Sequence, residues 1–348
     1  MNPIVIFRVD GNQTIGIGHV KRCIVLACEL KYQNINSVFL SSELTDNLKS
    51  ELDTYALVYK MIDDNIPEII QIHSTFQQYQ NYQWKLVIDS DRKEYYSKEF
   101  QCSIRDLGIR LSIITFYSEP EYFADVILNQ NIMALDQTYS VQPFTKKLLG
   151  PQYLIINQLF RRYLKKNEIR PFLKKKNHVL IYFGGADQND RTSWTVELLQ
   201  KLQNKPDHIH VVVSSTYPYL TSLKDLVKTS SIELTLYVDT DQMPYIMSQS
   251  KYSFTSGGLT MWELGIMNVL NFVIGLSNRE VSSGAFCSKK GYCYYLGEKR
   301  FINDTSLIEN IDHILLKEKE NAAMVKSLNT LLNPDGIQEV CEAIIGLS

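Results

Sequence analysis

The chain is predicted to be an α/β protein made of two doubly wound, Rossmann-like halves facing a cleft. Three observations carry that prediction. Short apolar runs alternate with amphipathic helical stretches; the alternation pauses around Leu148-Leu149-Gly150-Pro151 and restarts at Val179; and each half has a glycine turn directly after its first strand. Strands that alternate with helices pair in parallel and are covered on both faces. Such sheets hold ligands beyond the carboxyl ends of their strands.

With 348 residues the chain suits two domains of ordinary size. The expected division is a first domain over 1–160, a linker over 161–176, a second domain over 177–335, and a terminal helix over 336–348 packing back towards the first domain.

In the first half, strands are expected at 4–9, 37–40, 56–59, 85–89, 110–115 and 126–128, with helical stretches such as 43–52 and 67–79 between them. Ile4-Val5-Ile6-Phe7 reads as a buried strand and runs into a loop holding Gly11, Gly16 and Gly18. A helical pattern then starts at His19, with Val20, Ile24, Ala27 and Leu30 at helical spacing. A glycine loop lets backbone approach a ligand, and the first N–H groups of the helix point at it. His19 either faces that ligand or caps the helix; the loop alone leaves both open. The spacing is not the dinucleotide fingerprint, because Arg22 stands where a third glycine belongs, and no Gly-Lys-Ser/Thr closes a phosphate loop. Asp89 lies at a second strand end of the same kind.

A basic segment follows, with Arg161, Arg162, Lys165, Lys166 and three lysines at 174–176. It reads as a solvated connector. In the second half, strands are expected at 179–183, 208–213, 233–238, 252–255 and 270–274, and helices at 306–332 and 334–345. Gly184-Gly185 precedes a helical pattern near Arg191, so its amides could meet a phosphate. Ser256-Gly257-Gly258 opens a helix carrying Met261, Leu264 and Ile266, with Glu263 about one and a half turns inside. A carboxylate at that depth can accept from two ribose hydroxyls; a tight βα turn with a surface glutamate is the alternative. Asp239 and Asp241 are expected to cap a helix whose apolar face is Met243, Ile246 and Met247.

Composition narrows the function. A formal net charge of -2 offers nothing to nucleic acid. No apolar run approaches the roughly 20 residues that span a bilayer, so no stable membrane insertion is expected. The N-terminus has no basic region followed by a long apolar core, so no secretory signal is expected. The six cysteines form no Cys-x-x-Cys pair, and His73, His178, His208, His210 and His313 have no ligand spacing. A reduced, cytoplasmic protein without metal or cofactor is the expectation, with the histidines at the surface or satisfied in the core.

Four stretches taken together resemble a known family. Phe-Arg-x-Asp-(x)4-Ile-Gly-x-Gly-His-x-x-Arg starts at Phe7, Leu-Leu-Gly-Pro-x-Tyr at Leu148, Tyr-Phe-Gly-Gly-x-Asp at Tyr182, and Ser-Gly-Gly-x-Thr-x-Trp-Glu at Ser256. Their order is similar to that of the PseG/SpsG group, the UDP-2,4-diacetamido-2,4,6-trideoxy-β-L-altropyranose hydrolases of pseudaminic acid biosynthesis. The likeness also takes in Leu128-Asn129-Gln130-Asn131 and Lys289-Lys290-Gly291-Tyr292. The resemblance implies a GT-B fold, shared with the glycosyltransferase that makes lipid II. It implies hydrolysis of a UDP-sugar at its anomeric carbon, with inversion, release of UDP and no metal, in nonulosonic acid or surface-polysaccharide synthesis. His19 matches the general base. Gly16, Gly18, Gly185, Gly257, Gly258 and Thr260 match the diphosphate lining, and Glu263 the ribose holder. Asp10 matches the acidic residue after the first strand, and Asp10, Asp89 and Asn278 are expected on the sugar side.

The departures cluster on that sugar side. Asp89-Ser90-Asp91 stands for the group's Asp-His-Tyr, and Phe116-Tyr117 for an acidic pair, with Glu119 nearby. Asn157-Gln158-Leu159-Phe160 stands for Arg-x-Glu-Phe, and Asn278-Arg279 for Asn-Gln. Exchanging such groups changes which sugar substituents can be bound. A GT-B glycosyltransferase with another acceptor, and a nucleotide-sugar-binding homologue without turnover, therefore stand as alternatives.

Overall fold

The computed structural model describes residues 1–12, 15–63, 65–184, 187–275, 277–298 and 303–346; the side chain of Arg279 lies outside the description as well. The chain divides into two units, Met1–Gln158 with Asn333–Ser348, and Leu159–Leu332.

The first unit runs β1 (Pro3–Val9), α1 (Gly18–Tyr32), β2 (Asn36–Ser41), α2 (Asp46–Thr54), β3 (Val58–Met61), α3 (Glu68–Phe76), β4 (Gln83–Asp89), α4 (Lys98–Asp106) and β5 (Arg110–Ile114). It continues through β6 (Glu121–Tyr122), β7 (Val126–Asn129), β8 (Ser140–Val141) and β9 (Lys146–Leu149). The sheet order is β3-β2-β1-β4-β5-β7-β9, every neighbour parallel. Chain direction across the sheet reverses at β1 and β4, so the loops after Val9 and Asp89 open at the switch point, where such sheets bind ligands. β1 is fully buried on both faces, which is why it reads as a continuous apolar run rather than an alternation. Val5, Phe7 and Val9 face the core under α1 and α2, while Ile4 and Ile6 face Ile72, Phe76 and Ile104 on the other side.

The second unit runs α5 (Gln158–Lys166), β10 (His178–Tyr182), α6 (Arg191–Gln200), β11 (His208–Val213), α7 (Leu220–Thr229), β12 (Leu234–Val238), α8 (Met243–Gln249) and β13 (Tyr252–Thr255). Then follow α9 (Thr260–Ile266), β14 (Leu270–Gly275), α10 (Asn278–Lys289), β15 (Tyr294–Glu298), α11 (Asp304–Leu315) and α12 (Glu318–Asn329). Its sheet order is β12-β11-β10-β13-β14-β15, again parallel throughout. Here the switch point lies between β10 and β13, the two strands whose ends carry the glycine turns. The chain ends with α13 (Gly336–Ile345), which returns to the first unit and packs on α1 and β5. Its buried Ile337, Val340, Ile344 and Ile345, at about 1.5–3 kcal/mol each, offset the entropy of ordering the tail.

Several local expectations are corrected. The basic segment 161–176 is not a solvated connector: Phe172 and Lys175 are buried in the second unit, and the Lys175 ammonium donates to the carbonyls of Met247 and Ser250. Asp239 does not cap α8. Its backbone is left-handed, and its carboxylate accepts from the Ser215 amide at 3.0 Å. The helix expected over 306–332 is two helices broken at Leu316-Lys317, with no Pro or Gly to announce the break. β15 and β9 were not foreseen, because Leu296-Gly297 and Lys146-Lys147 interrupt any apolar run.

Three histidines dismissed on spacing converge. Parallel register sets His178 beside His208, and the two-residue repeat of a strand puts His210 on the same face. His210 Nε2 lies 3.3 Å from His178 Nδ1, and the Tyr237 hydroxyl 3.3 Å from His210 Nδ1. Burial, then the neighbouring imidazoles, lower His210 to about 4.

Candidate active site

β1 ends in a buried ion network. Arg8, a charged residue within the apolar strand, donates to Asp10 at 2.7 Å and to Glu68 at 2.6 Å. Asp10 Oδ1 also accepts from the Ser42 amide and hydroxyl, and Oδ2 lies 3.2 Å from Arg92. Burial alone would raise this carboxyl, but Arg8 and the Ser42 amide outweigh it and hold it below the usual carboxylate range. Asp10, expected on the sugar side, is 3% exposed and ties β1 to the loop after β2.

The loop that follows is pinned at both ends. The Gly11 amide donates to Glu43 and the Gly16 amide to Asn12. Gly16 has φ +88, a left-handed conformation that a side chain would strain. Gly18 differs: its φ is ordinary, and a Cβ there would meet nothing within 4 Å. α1 then begins with Ile17 at the cap position, no side-chain cap and no acidic residue in its first turn. His19 therefore does not cap the helix.

Instead, His19 is held from below. Its Nδ1 lies 2.6 Å from Asp89 Oδ1, while Arg22, one turn along the same helix face, makes a two-pronged ion pair with both Asp89 oxygens. Burial acts to raise Asp89; the Arg22 charge and hydrogen bonds, then His19, outweigh it and hold the carboxyl below its ordinary range. The Phe116 ring lies over the Arg22 guanidinium, its centroid 5.1 Å away. An anion against Nδ1 places the neutral ring's proton there, by the logic of the network, and leaves Nε2 as an acceptor. Asp89, expected beside the sugar, is 1% exposed and serves His19. Two further members of this cluster stood in the quoted motifs without a role. Arg22 could have been found from its i+3 spacing to His19. Asp91, whose Oδ2 lies 3.9 Å from His19 Nε2, was marked by its departure from the family pattern, with nothing in the sequence to pair it with His19.

In the second unit the two glycine turns differ. In the first turn of α6, Asp187 accepts from the Thr192 amide at 2.8 Å and Asp190 from the Ser193 amide at 3.2 Å. Two amides at the helix end near Arg191 are thus taken by side chains, and Gly185 lies outside the described residues. In the turn after β13 no side chain caps the helix, and the Met261 and Trp262 amides donate to the carbonyls of Gly258 and Leu259. Gly257 is required by the fold, with φ +85 and Val273 2.8 Å from where a Cβ would stand. Gly258 is exposed, and a Cβ there would meet nothing. α9 has no side-chain cap, and Thr260 is its first residue, half-buried. Glu263 is half-buried in the same turn and its carboxylate has no hydrogen-bond partner among the described residues. Burial pushes it up to about 7. Its charge in turn helps raise the Tyr182 phenol, after burial. Asn278 is exposed in the first turn of α10, beyond the end of β14.

Among the described residues no group of three or more His, Cys, Asp or Glu side chains is placed to hold a metal ion. No helix of the described residues is long and apolar enough to cross a membrane.

Comparison with protein-family models finds no match. An uncharacterised protein of Methanocaldococcus jannaschii is 28% identical over 267 residues, covering 73% of this chain; the chain spans about half of that relative's length, 52%. The UDP-2,4-diacetamido-2,4,6-trideoxy-β-L-altropyranose hydrolase of Campylobacter jejuni is 24% identical over 298 residues, covering 83% of this chain and 97% of the relative. Among solved structures, MurG of Acinetobacter baumannii matches with a TM-score of 0.72 over the whole of both chains at 13% identity. The chain is thus a GT-B protein with two Rossmann-like sheets, and in sequence a relative of the Campylobacter UDP-sugar hydrolase.

Proposed function

We propose that this protein hydrolyses a UDP-activated deoxyamino sugar at the anomeric carbon and releases UDP, in the synthesis of a nonulosonic acid or another surface polysaccharide. The observation that carries the reading is the Arg22–Asp89–His19 chain, which leaves an imidazole nitrogen as a base at the switch point of a parallel sheet. His19 Nε2 takes a proton from water, the water oxygen bonds to the anomeric carbon, and the bond from that carbon to the phosphate oxygen breaks with inversion. Asp89 stabilises the imidazolium formed. UDP leaves with the bonding pair.

The turn after β13 suits the nucleotide. The amides of Gly258, Leu259 and Thr260, ahead of the first bonded amides of the helix, would meet a diphosphate. Gly18 and Gly258 are glycines for which the fold itself gives no reason, as expected where backbone meets a ligand. Gly16 and Gly257 shape the two turns, Thr260 offers a hydroxyl, and Glu263 offers a carboxylate unpaired among the described residues for the two ribose hydroxyls. Asn278 is the remaining candidate for a sugar contact; Asp10 and Asp89 act from behind the site. The sequence likeness to a UDP-sugar hydrolase supports the same class of substrate.

A panel of UDP-sugars incubated in ¹⁸O-water tests this. Label is expected on the sugar's anomeric hydroxyl and not in UDP, with turnover lost in His19→Ala. Label in the phosphate would refute the mechanism, and full activity in the alanine variant would remove His19 from it. The MurG likeness keeps a glycosyltransferase in view, and release of UDP only with an added acceptor would favour it.

A further inference from the structure

We infer that Asp91 is a second acceptor for the attacking nucleophile, and that it makes the site selective for water over an alcohol. The inference rests on His19 being the base. Asp91 Oδ2 lies 3.9 Å from His19 Nε2, too far for a direct hydrogen bond and close enough for one oxygen to bridge. Its side chain is 41% exposed where that of His19 is 10% exposed, so solvent reaches the carboxylate more freely than the ring.

The geometry counts hydrogens. An oxygen about 2.8 Å from each acceptor sees them about 90° apart, near the angle of about 105° between the two O–H bonds of water. Water can satisfy both acceptors at once. One hydrogen points at Nε2 and is transferred as the oxygen bonds to the anomeric carbon; the other points at Asp91 and stays on the product hydroxyl. The released proton rests on His19, the bonding pair leaves with UDP, and Asp91 ends unchanged. An alcohol has a single O–H and leaves one acceptor unpaired, which costs it relative to water. Asp91 and its neighbour Ser90 are among the positions where this chain departs from the PseG/SpsG pattern.

The test compares wild type, Asp91→Ala and Asp91→Asn with the donor that gives most UDP, in water and in water with methanol. Asp91→Ala is expected to lower kcat for hydrolysis by roughly 10- to 100-fold while KM moves little, and Asp91→Asn, which keeps a carbonyl acceptor, to recover part of it. The ratio of methyl glycoside to free sugar should rise in Asp91→Ala, because methanol needs only Nε2. A merely structural role would lower both products together. Unchanged kcat, or an unchanged product ratio, overturns the assignment. Wild type that releases UDP only with an alcohol present also overturns it, while leaving His19 as base. Wild type that releases UDP from no donor in either solvent takes down the base and the assignment together.

Discussion

Glu263 gives the sharpest test of where the nucleotide binds. Its carboxyl is half-buried, has no hydrogen-bond partner among the described residues, and is pushed by burial from 4.5 up to about 7. That rise is about 3 kcal/mol against the charged form, at about 1.4 kcal/mol per unit. Two ribose hydroxyls donating to the carboxylate would stabilise the ionised form and restore an ordinary value. Binding then expels a proton from a group protonated below pH 7, so affinity must fall as pH falls. With a free value of about 7 and a bound value near 4.5, a UDP-sugar should bind about tenfold more weakly at pH 6 than at pH 8. A UDP-sugar is the right probe, because its doubly esterified diphosphate does not titrate in this range. Isothermal titration calorimetry across pH 5.5 to 8, in buffers of different ionisation enthalpy, reads both the affinity and the proton released near pH 6. Glu263→Gln should bind with a flat pH dependence and release no proton. Equal affinity at pH 6 and pH 8 in wild type, or an equally steep slope in Glu263→Gln, would refute the reasoning.

Three further outcomes are expected. Asp89→Asn should lower kcat by roughly 10²- to 10⁴-fold, since the anion that holds the Nδ1 proton is gone. It should also lower stability by roughly 3–5 kcal/mol, because Arg22 is left buried without its partner; single-turnover rates and denaturant melts measure the two. Gly18→Ala should leave the melting temperature within about 1 °C and weaken UDP-sugar binding, whereas Gly257→Ala, with φ +85 and Val273 in the way, should melt several degrees lower. His210, lowered from 6.5 to about 4, favours the fold above pH 6.5, and that stability is lost as pH falls towards 4. Glu263 works in the opposite direction over pH 7 to 4.5, so the contribution is read as a difference: His210→Leu should remove about 2 kcal/mol of the wild-type loss between pH 7 and pH 4.5 in urea melts. An identical pH slope in the variant counts against a buried neutral His210.

The sequence by itself determined the elements and their rhythm. Buried parallel strands need apolar residues on both faces, so β1, β11 and β13 stood out along the chain, and the left-handed turns at Gly16 and Gly257 announced themselves because few other residues tolerate them. His19 and Glu263 could be singled out because each follows such a turn at a helix start. Tertiary structure alone decided what those residues touch. Asp89 and Asp10 looked like ligands because both end a strand, yet one lies beneath His19 with Arg22 and the other is locked between Arg8, Ser42 and Arg92. Asp91 met His19, 72 positions earlier, only through the packing of the loop after β4 beside α1, and His178 met His208 only when parallel pairing set their strands in register. Local pattern encodes periodicity and turns, because those depend on neighbours in the chain. A pKa, an ion pair or a shared proton depends on whatever packing brings within a few ångströms, and no stretch of sequence carries that information alone.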